Sequence, residues 1–260
     1  MGPGGFDVEG FLALLEARHG GEARRVLALE AVDSTSSELA RRLGDGWPVG
    51  TVIVAGEQTA GRGRLGRGWC SPPGGNLHLS VAVSPAGADL LTMVPLAAGA
   101  AAAAVLAGAG IDELRLKWPN DLLARGRKLG GILCETADPL ADRPVVVVGI
   151  GVNLSGSPLW ADLAGAAISA AEVVGRAITP EPVAAGFVTG LERRLADLSR
   201  AGRDALISEW KDRAEPFGRR VRTVDVEGVT VDLDETGRLL VRRDDGAIVP
   251  VAGGIVETAG

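Results

Sequence analysis

Thr51-Val52-Ile53-Val54-Ala55-Gly56-Glu57-Gln58-Thr59-Ala60-Gly61-Arg62-Gly63-Arg64-Leu65-Gly66-Arg67-Gly68-Trp69 sets an apolar run directly before a loop of four glycines and three arginines. The part between Gly50 and Gly56 reads as a buried strand, because a short β-branched run bounded by glycines suits a sheet interior. The loop that follows alternates backbone freedom with positive charge. Glycine reaches left-handed backbone angles freely and loses more entropy on ordering, so such a loop can close around a ligand. Guanidinium forks and nearby backbone N–H groups together suit phosphate or carboxylate oxygens. A solvated basic turn and an Arg/Gly segment lying on nucleic acid are the other readings of this stretch taken alone.

Working outward, Asn76 to Val83 has apolar residues at alternate positions and reads as the next strand, so two strands pin the loop ends. His78 in that strand is expected to be a packed histidine, since no nucleophile lies near it. Leu27–Val32 reads as a strand leading into Asp33-Ser34-Thr35-Ser36-Ser37-Glu38. Thr35 and Glu38 have capping-box spacing, so a helix is expected to start there, leaving hydroxyls and free N–H groups at the mouth of the sheet. Leu114–Lys117 reads as a strand ending in Trp118-Pro119-Asn120-Asp121, which gathers Lys117, Asn120 and Asp121 at one turn. Leu122–Ala124 and Lys128–Glu135 read as a hairpin through Arg125-Gly126-Arg127, which brings Lys128 beside that turn. Val145–Leu154 has the composition of a central strand.

The remaining segments are support. Residues 1–10 read as a flexible lead, with Phe6 to about Arg18 holding a short amphipathic helix. Ile168 to about Arg213 has helical spacing. From Ala214 onward the period changes to two, with Val221, Val224, Val226, Val229, Val231, Leu233, Leu239 and Val241 in short strands. Turns are expected at Glu227-Gly228, Glu235-Thr236-Gly237 and Asp244-Asp245-Gly246. The expected organisation is a unit over 1–214 (core about 27–200) followed by a small β unit over 215–260.

At 260 residues the chain can bury a real core. Its formal net charge of −6 disfavours a general polyanion-binding surface, which favours a small anionic ligand over nucleic acid. Two distant cysteines and two histidines give no metal-cluster spacing and no disulfide framework, as in a reducing cytoplasm. Leu90–Ile111 is nearly uncharged and long enough to span a bilayer, but alanine and glycine dominate it and it reads as a buried helix. No secretory signal is read at the N-terminus.

Together, the Arg/Gly loop, two lysines at strand ends, the Asn-Asp turn and the hydroxyl cluster with Gln58 suit one demand: bringing two anions together. A carboxylate attacking an α-phosphate faces repulsion that fixed cations offset. No nucleophilic side chain is then required, in keeping with the lack of a Ser-His-Asp set, a Walker motif or a kinase signature in the sequence.

Four blocks now carry a family resemblance: Gly61–Trp69, Lys117-Trp118-Pro119-Asn120-Asp121, Lys128-Leu129-Gly130-Gly131-Ile132-Leu133-Cys134-Glu135 and Gly149-Ile150-Gly151-Val152-Asn153-Leu154. In this order and spacing they resemble the biotin protein ligases, with Asp33-Ser34-Thr35-Ser36 as a further match. The likeness covers residues 27–155 strongly and the C-terminal part by pattern. It implies an α+β fold, with a mixed-sheet catalytic domain backed by helices and a small SH3-like barrel. Biotin and Mg·ATP would give biotinyl-5′-AMP, and the biotinyl group would pass to a lysine of a carboxylase carrier domain. By position, the resemblance implies that Ser34, Thr35, Ser36, Gln58, Gly61, Arg62, Gly63, Arg64, Lys128 and Gly131 bind biotin. It implies that Arg62, Arg64, Arg67, Trp69, Lys117, Asn120 and Asn153 serve the nucleotide, and Asp121 a Mg²⁺ ion. Lys128 is the expected catalytic residue, with Arg64 retaining the adenylate and Trp69 packing over the ligand.

Some family members add an N-terminal winged helix and repress genes; the residues before the first strand leave no room for one, so repression is not expected. A monomer or weak homodimer acting in the cytoplasm is expected, with neither nucleic acid nor membrane as partner. The rival readings are a lipoate or octanoate ligase of similar fold, and a non-catalytic regulator that binds biotin or nucleic acid.

Overall fold

A computed structural model describes residues 5–19, 24–71, 73–138, 143–155, 165–223, 225–251, 253 and 257–258. Its centre is a seven-stranded mixed sheet made of β1 (Val26–Val32), β2 (Val52–Gln58), β3 (Leu77–Val83), β4 (Leu114–Lys117), β5 (Asp121–Ala124), β6 (Arg127–Asp138) and β7 (Val145–Val152). The order is β1-β2-β3-β7-β6-β5-β4, so the valine-rich β7 is the middle strand, as its composition predicts. Only β1 and β2 run parallel; the other neighbours are antiparallel.

Alternation along β3 and β7 divides the sheet into two faces. Leu77, Leu79, Val81 and Val83, with Val146, Val148, Ile150 and Val152, join the main core. That core is covered by α1 (Val8–His19), α3 (Val94–Gly108), α5 (Pro180–Ala201) and α6 (Arg203–Asp212), with the short α4 (Ala170–Val174) beside them. On the other face, Ala82 and Val147 meet Leu39 of α2 (Thr35–Gly44) in a small cluster with Ile53. The site develops on this second face, where α2 leaves part of the sheet uncovered.

The apolar stretch Ala88–Gly108 is long and apolar enough to cross a membrane, yet 67% of its most apolar window is buried within the protein. Ten of its residues in α3 are buried, so small alanine side chains let it lie close to the sheet and to α5. The helical stretch expected from Ile168 to Arg213 is three helices, broken at Gly175 and Gly202, both with positive φ. The helix near Thr35 starts without a capping box. Ser34 is the N-cap residue and makes no side-chain cap; Glu38 instead binds Arg41 and Arg42 on its C-terminal side. The one-residue shift frees Thr35 for a long-range partner described below.

The C-terminal residues form a second, antiparallel sheet of β8 (Arg220–Arg222), β9 (Glu227–Leu233), β10 (Leu239–Arg242), β11 (Ile248–Val251) and β12 (Glu257–Thr258), ordered β11-β10-β9-β8-β12. Glu227-Gly228 opens β9 and is not a turn; the reversal lies just before it, where Thr223 N–H donates to Val226 O. Val224 and the first four residues of the lead lie outside the described residues. The sheet meets the first one where the Trp118 indole N–H donates to Gly237 O at 3.0 Å.

Candidate active site

A cavity of about 430 Å³ opens beside the middle strand. Its floor is sheet backbone. Gly149 and Gly151 fall at the alternate positions of β7 that face away from the main core, and neither has room for a side chain. A Cβ on Gly149 would lie 2.6 Å from Ser36 Oγ, and one on Gly151 2.6 Å from the Trp69 indole. Gly131 on β6 also lines the floor, so strand backbone and a flat indole together make a slot.

One end of the slot is neutral and polar. Ser34, Thr35 and Ser36 line it and are buried at 3–5% exposure. Gln58, at the end of β2, accepts from Thr35 N–H at 2.9 Å and from Thr35 Oγ1 at 3.1 Å. Its amide nitrogen donates to Ser71 Oγ at 2.8 Å. The other end is cationic. Lys117 and Asp121 face each other across the β4–β5 pair, and Lys128 Nζ lies 2.7 Å from Asp121 Oδ1. Lys128 Nζ also stands 5.6 Å from the centroid of a Trp69 ring, within cation–π range.

The Arg/Gly loop forms the wall between the two ends. Arg62 bridges to Gly68, Trp69 N–H donates to Gly61 O, and Gly63 N–H donates to Arg67 O, so the loop is a small irregular hairpin with a 3₁₀ turn at Arg64–Gly66. Arg62, Gly63, Arg64, Arg67 and Trp69 all line the cavity. Arg62 makes a bidentate pair with Glu135 at 3.0 and 2.7 Å. Arg64 donates to Asn120 Oδ1 at 3.3 Å, and Asn120 Nδ2 donates to Ile132 O. Burial disfavours the charged form of Arg64, and the neighbouring Asp121 carboxylate opposes that effect.

Fourteen sequence-selected residues therefore line one cavity, and two do not. Gly61 closes the base of the loop, where a Cβ would meet Trp69 O at 2.5 Å. Asn153 is buried behind the cavity and donates to Lys128 O and Ile168 O, both at 3.3 Å. Its amide is committed to holding the Lys128 backbone, which also accepts from Ile168 N–H. Asn153 also lines a neighbouring cavity together with Gln58, Trp69 and Lys128, so it stands beside the main cavity and not in its lining. His78 is a packed histidine at 2% exposure, as expected. Sequence reasoning passed over Gly149, Gly151, Trp118 and Ile132 as lining residues, although the Gly-x-Gly spacing on a central strand was a usable signal.

Among the described residues no group of three or more His, Cys, Asp or Glu could hold a metal ion by itself. A single carboxylate, Asp121, faces the cavity next to the lysines. That donor set fits Mg²⁺ arriving with phosphates, since this ion keeps its waters and needs one or two carboxylates.

Residues 29–153 match the family described as Biotin/lipoate A/B protein ligase, and residues 217–258 match the Biotin protein ligase C terminal domain. The chain is 34% identical over 245 residues to the biotin–acetyl-CoA-carboxylase ligase of Mycobacterium tuberculosis, covering 90% of this chain and 89% of that protein. It is 33% identical over 244 residues to the bifunctional ligase/repressor BirA of Salmonella typhimurium, covering 91% and 75%. The biotin protein ligase of Aquifex aeolicus in complex with biotin and ATP superposes with a TM-score of 0.77 at 26% identity, over 90% of this chain and 99% of that one.

Proposed function

Because the chain belongs to the biotin protein ligase family, we propose that it activates biotin with ATP to biotinyl-5′-AMP and transfers the biotinyl group to a lysine of a biotin carboxyl carrier domain. The observation that carries this reading is the polarity of one cavity: hydroxyls and an amide at one end, lysines and arginines at the other. A neutral ring with N–H and C=O groups fits the first end, and a carboxylate meeting a phosphate fits the second.

In the first step the substrate carboxylate attacks the α-phosphorus and pyrophosphate leaves. Lys128, held by Asp121 and Trp69 at the cationic end, offsets the charge that gathers on the phosphoryl oxygens. Lys117 and Asn120 serve the nucleotide, with Arg62, Arg64 and Arg67 reaching the adenylate from the loop wall. Asp121 would hold Mg²⁺, whose charge neutralises the triphosphate. In the second step an incoming amine attacks the acyl carbon and AMP leaves; the loop keeps water from that carbon until the amine arrives. We place the catalytic unit at 1–214 and a supporting unit at 215–260, acting in the cytoplasm as a monomer or weak homodimer. Nucleic acid and membranes are not partners in this reading.

The test is mass spectrometry of an apo-carrier domain incubated with the protein, Mg·ATP and either biotin or lipoate. A mass increase of one biotinyl group on one lysine is expected. Labelling by lipoate alone would overturn the assignment.

A further inference from the structure

Ser80 lies on β3 with 0% exposure, beneath the polar end of the cavity and outside its lining. Its hydroxyl lies 2.8 Å from Thr35 Oγ1 and 3.0 Å from Ser36 Oγ. The direction of each of these bonds follows from its neighbours. Thr35 N–H can only donate, so the Gln58 atom it meets at 2.9 Å is the amide oxygen. Thr35 Oγ1 at 3.1 Å from that oxygen must donate its single proton there. Toward Ser80, Thr35 can then only accept, so Ser80 donates. Ser80 has spent its proton, and Ser36 must donate to Ser80.

We infer that Ser80 is a positioning residue that fixes the hydrogen-bond polarity of the ring pocket, leaving Thr35 and Ser36 as acceptors toward the cavity and so selecting a ligand ring with N–H donors. This rests on the biotin reading above. The chain of bonds runs Ser36 to Ser80 to Thr35 to Gln58, and on through the Gln58 amide to Ser71 Oγ at the end of the Arg/Gly loop. Without Ser80, the Ser36 proton is released and can turn into the cavity, where it opposes a ligand N–H. The pocket then loses its preference between a ring nitrogen bearing hydrogen and a ring oxygen.

The experiment follows pyrophosphate release by the full chain with biotin and with the analogue in which one ring N–H is replaced by oxygen. Ser80→Ala is expected to raise KM for biotin roughly tenfold, the scale of one misdirected buried hydrogen bond, with KM for ATP unchanged. The preference for biotin over the oxygen analogue should shrink by a similar factor. A packing role alone would lower thermal stability and leave that preference intact, which would overturn the inference. If Ser80→Ala does not fold, Ser80→Cys, a small side chain with a weak donor, is read the same way and should lose part of the preference. Wild-type protein inert toward biotin would remove the functional reading and this inference together; active wild type with an unaltered preference in the folded variant would remove this inference alone.

Discussion

The ammonium of Lys128 sits 2.7 Å from Asp121 Oδ1, although the two residues start neighbouring strands and are not a register pair. Lys128 pairs with Leu123 after a register shift between Leu122 and Leu123, and that irregularity turns its side chain back toward the β4–β5 turn. The lysine thus points into the cationic end of the cavity, where the proposed reading brings a carboxylate and a phosphate together. Lys128→Ala should lower adenylate formation by roughly 100- to 1,000-fold, the usual scale for deleting one charge-stabilising group. The side chains of the pair are 39% and 25% exposed, so stability should fall by about 1 kcal/mol or less. Pyrophosphate release and a thermal melt check both halves; full turnover in a folded variant would remove Lys128 from the chemistry.

Trp69 and Gly151 make a second tightly fixed contact. Adding one methyl group at Gly151 puts it 2.6 Å from the indole, and the ring must leave the slot. Gly151→Ala should cost about 1–3 kcal/mol in stability through overpacking. Biotin affinity should drop with it, because Trp69 also stands against Lys128. Calorimetric titration with biotin measures this, and the tryptophan emission should shift as the ring becomes solvated. Wild-type affinity in this variant would show that the slot does not depend on the indole.

Much of this site could be read from the sequence, and the rest for identifiable reasons could not. Lys117, Asn120 and Asp121 were legible because a proline-containing turn compresses them into five residues, and Lys128 because a short hairpin returns the chain to the same edge. The middle position of β7 followed from its unbroken valines. The capping box near Thr35 was misread because Ser34 and Thr35 offer hydroxyls in two registers one residue apart. The bond from Thr35 to Gln58, 23 residues away, is a tertiary contact that local spacing does not encode. The carbonyl contacts of Asn153 were hidden for a related reason: they depend on Ile168 packing beside Lys128, a tertiary arrangement that the spacing around a central strand does not encode. Ser80 gave no signal, being one small residue in an alternating strand.

Arg64 shares its guanidinium with Asn120 at the cationic end of the cavity and lies half-buried in the loop wall. Arg64→Gly removes the guanidinium that the proposed reading sets against the adenylate, while keeping the loop hydrogen bonds, which are made by backbone atoms. Loss of a charge-assisted bond should speed escape of biotinyl-AMP by roughly tenfold or more. The escaped anhydride acylates any exposed amine, so lysines of an added bystander protein should become biotinylated. Mass spectrometry of the bystander reads this directly, and unlabelled lysines would argue for retention by other groups.

His78 supplies a pH dependence unrelated to catalysis. Burial pushes its imidazole down to about 4 from an ordinary 6.5, because the charged form is poorly solvated at 2% exposure. Below pH 6.5 the unfolded chain binds a proton that the folded chain does not, so stability is full above that pH and falls as the pH drops toward 4. At ~1.4 kcal/mol per pH unit the whole loss is about 3 kcal/mol. Asp33, held down to about 2 by the Arg41 guanidinium, acts in a separate window below its ordinary 3.8. Denaturant melts between pH 8 and pH 5 should therefore isolate His78. Wild-type protein should lose stability across that range, and His78→Gln should flatten the curve; parallel curves would assign the loss to another group.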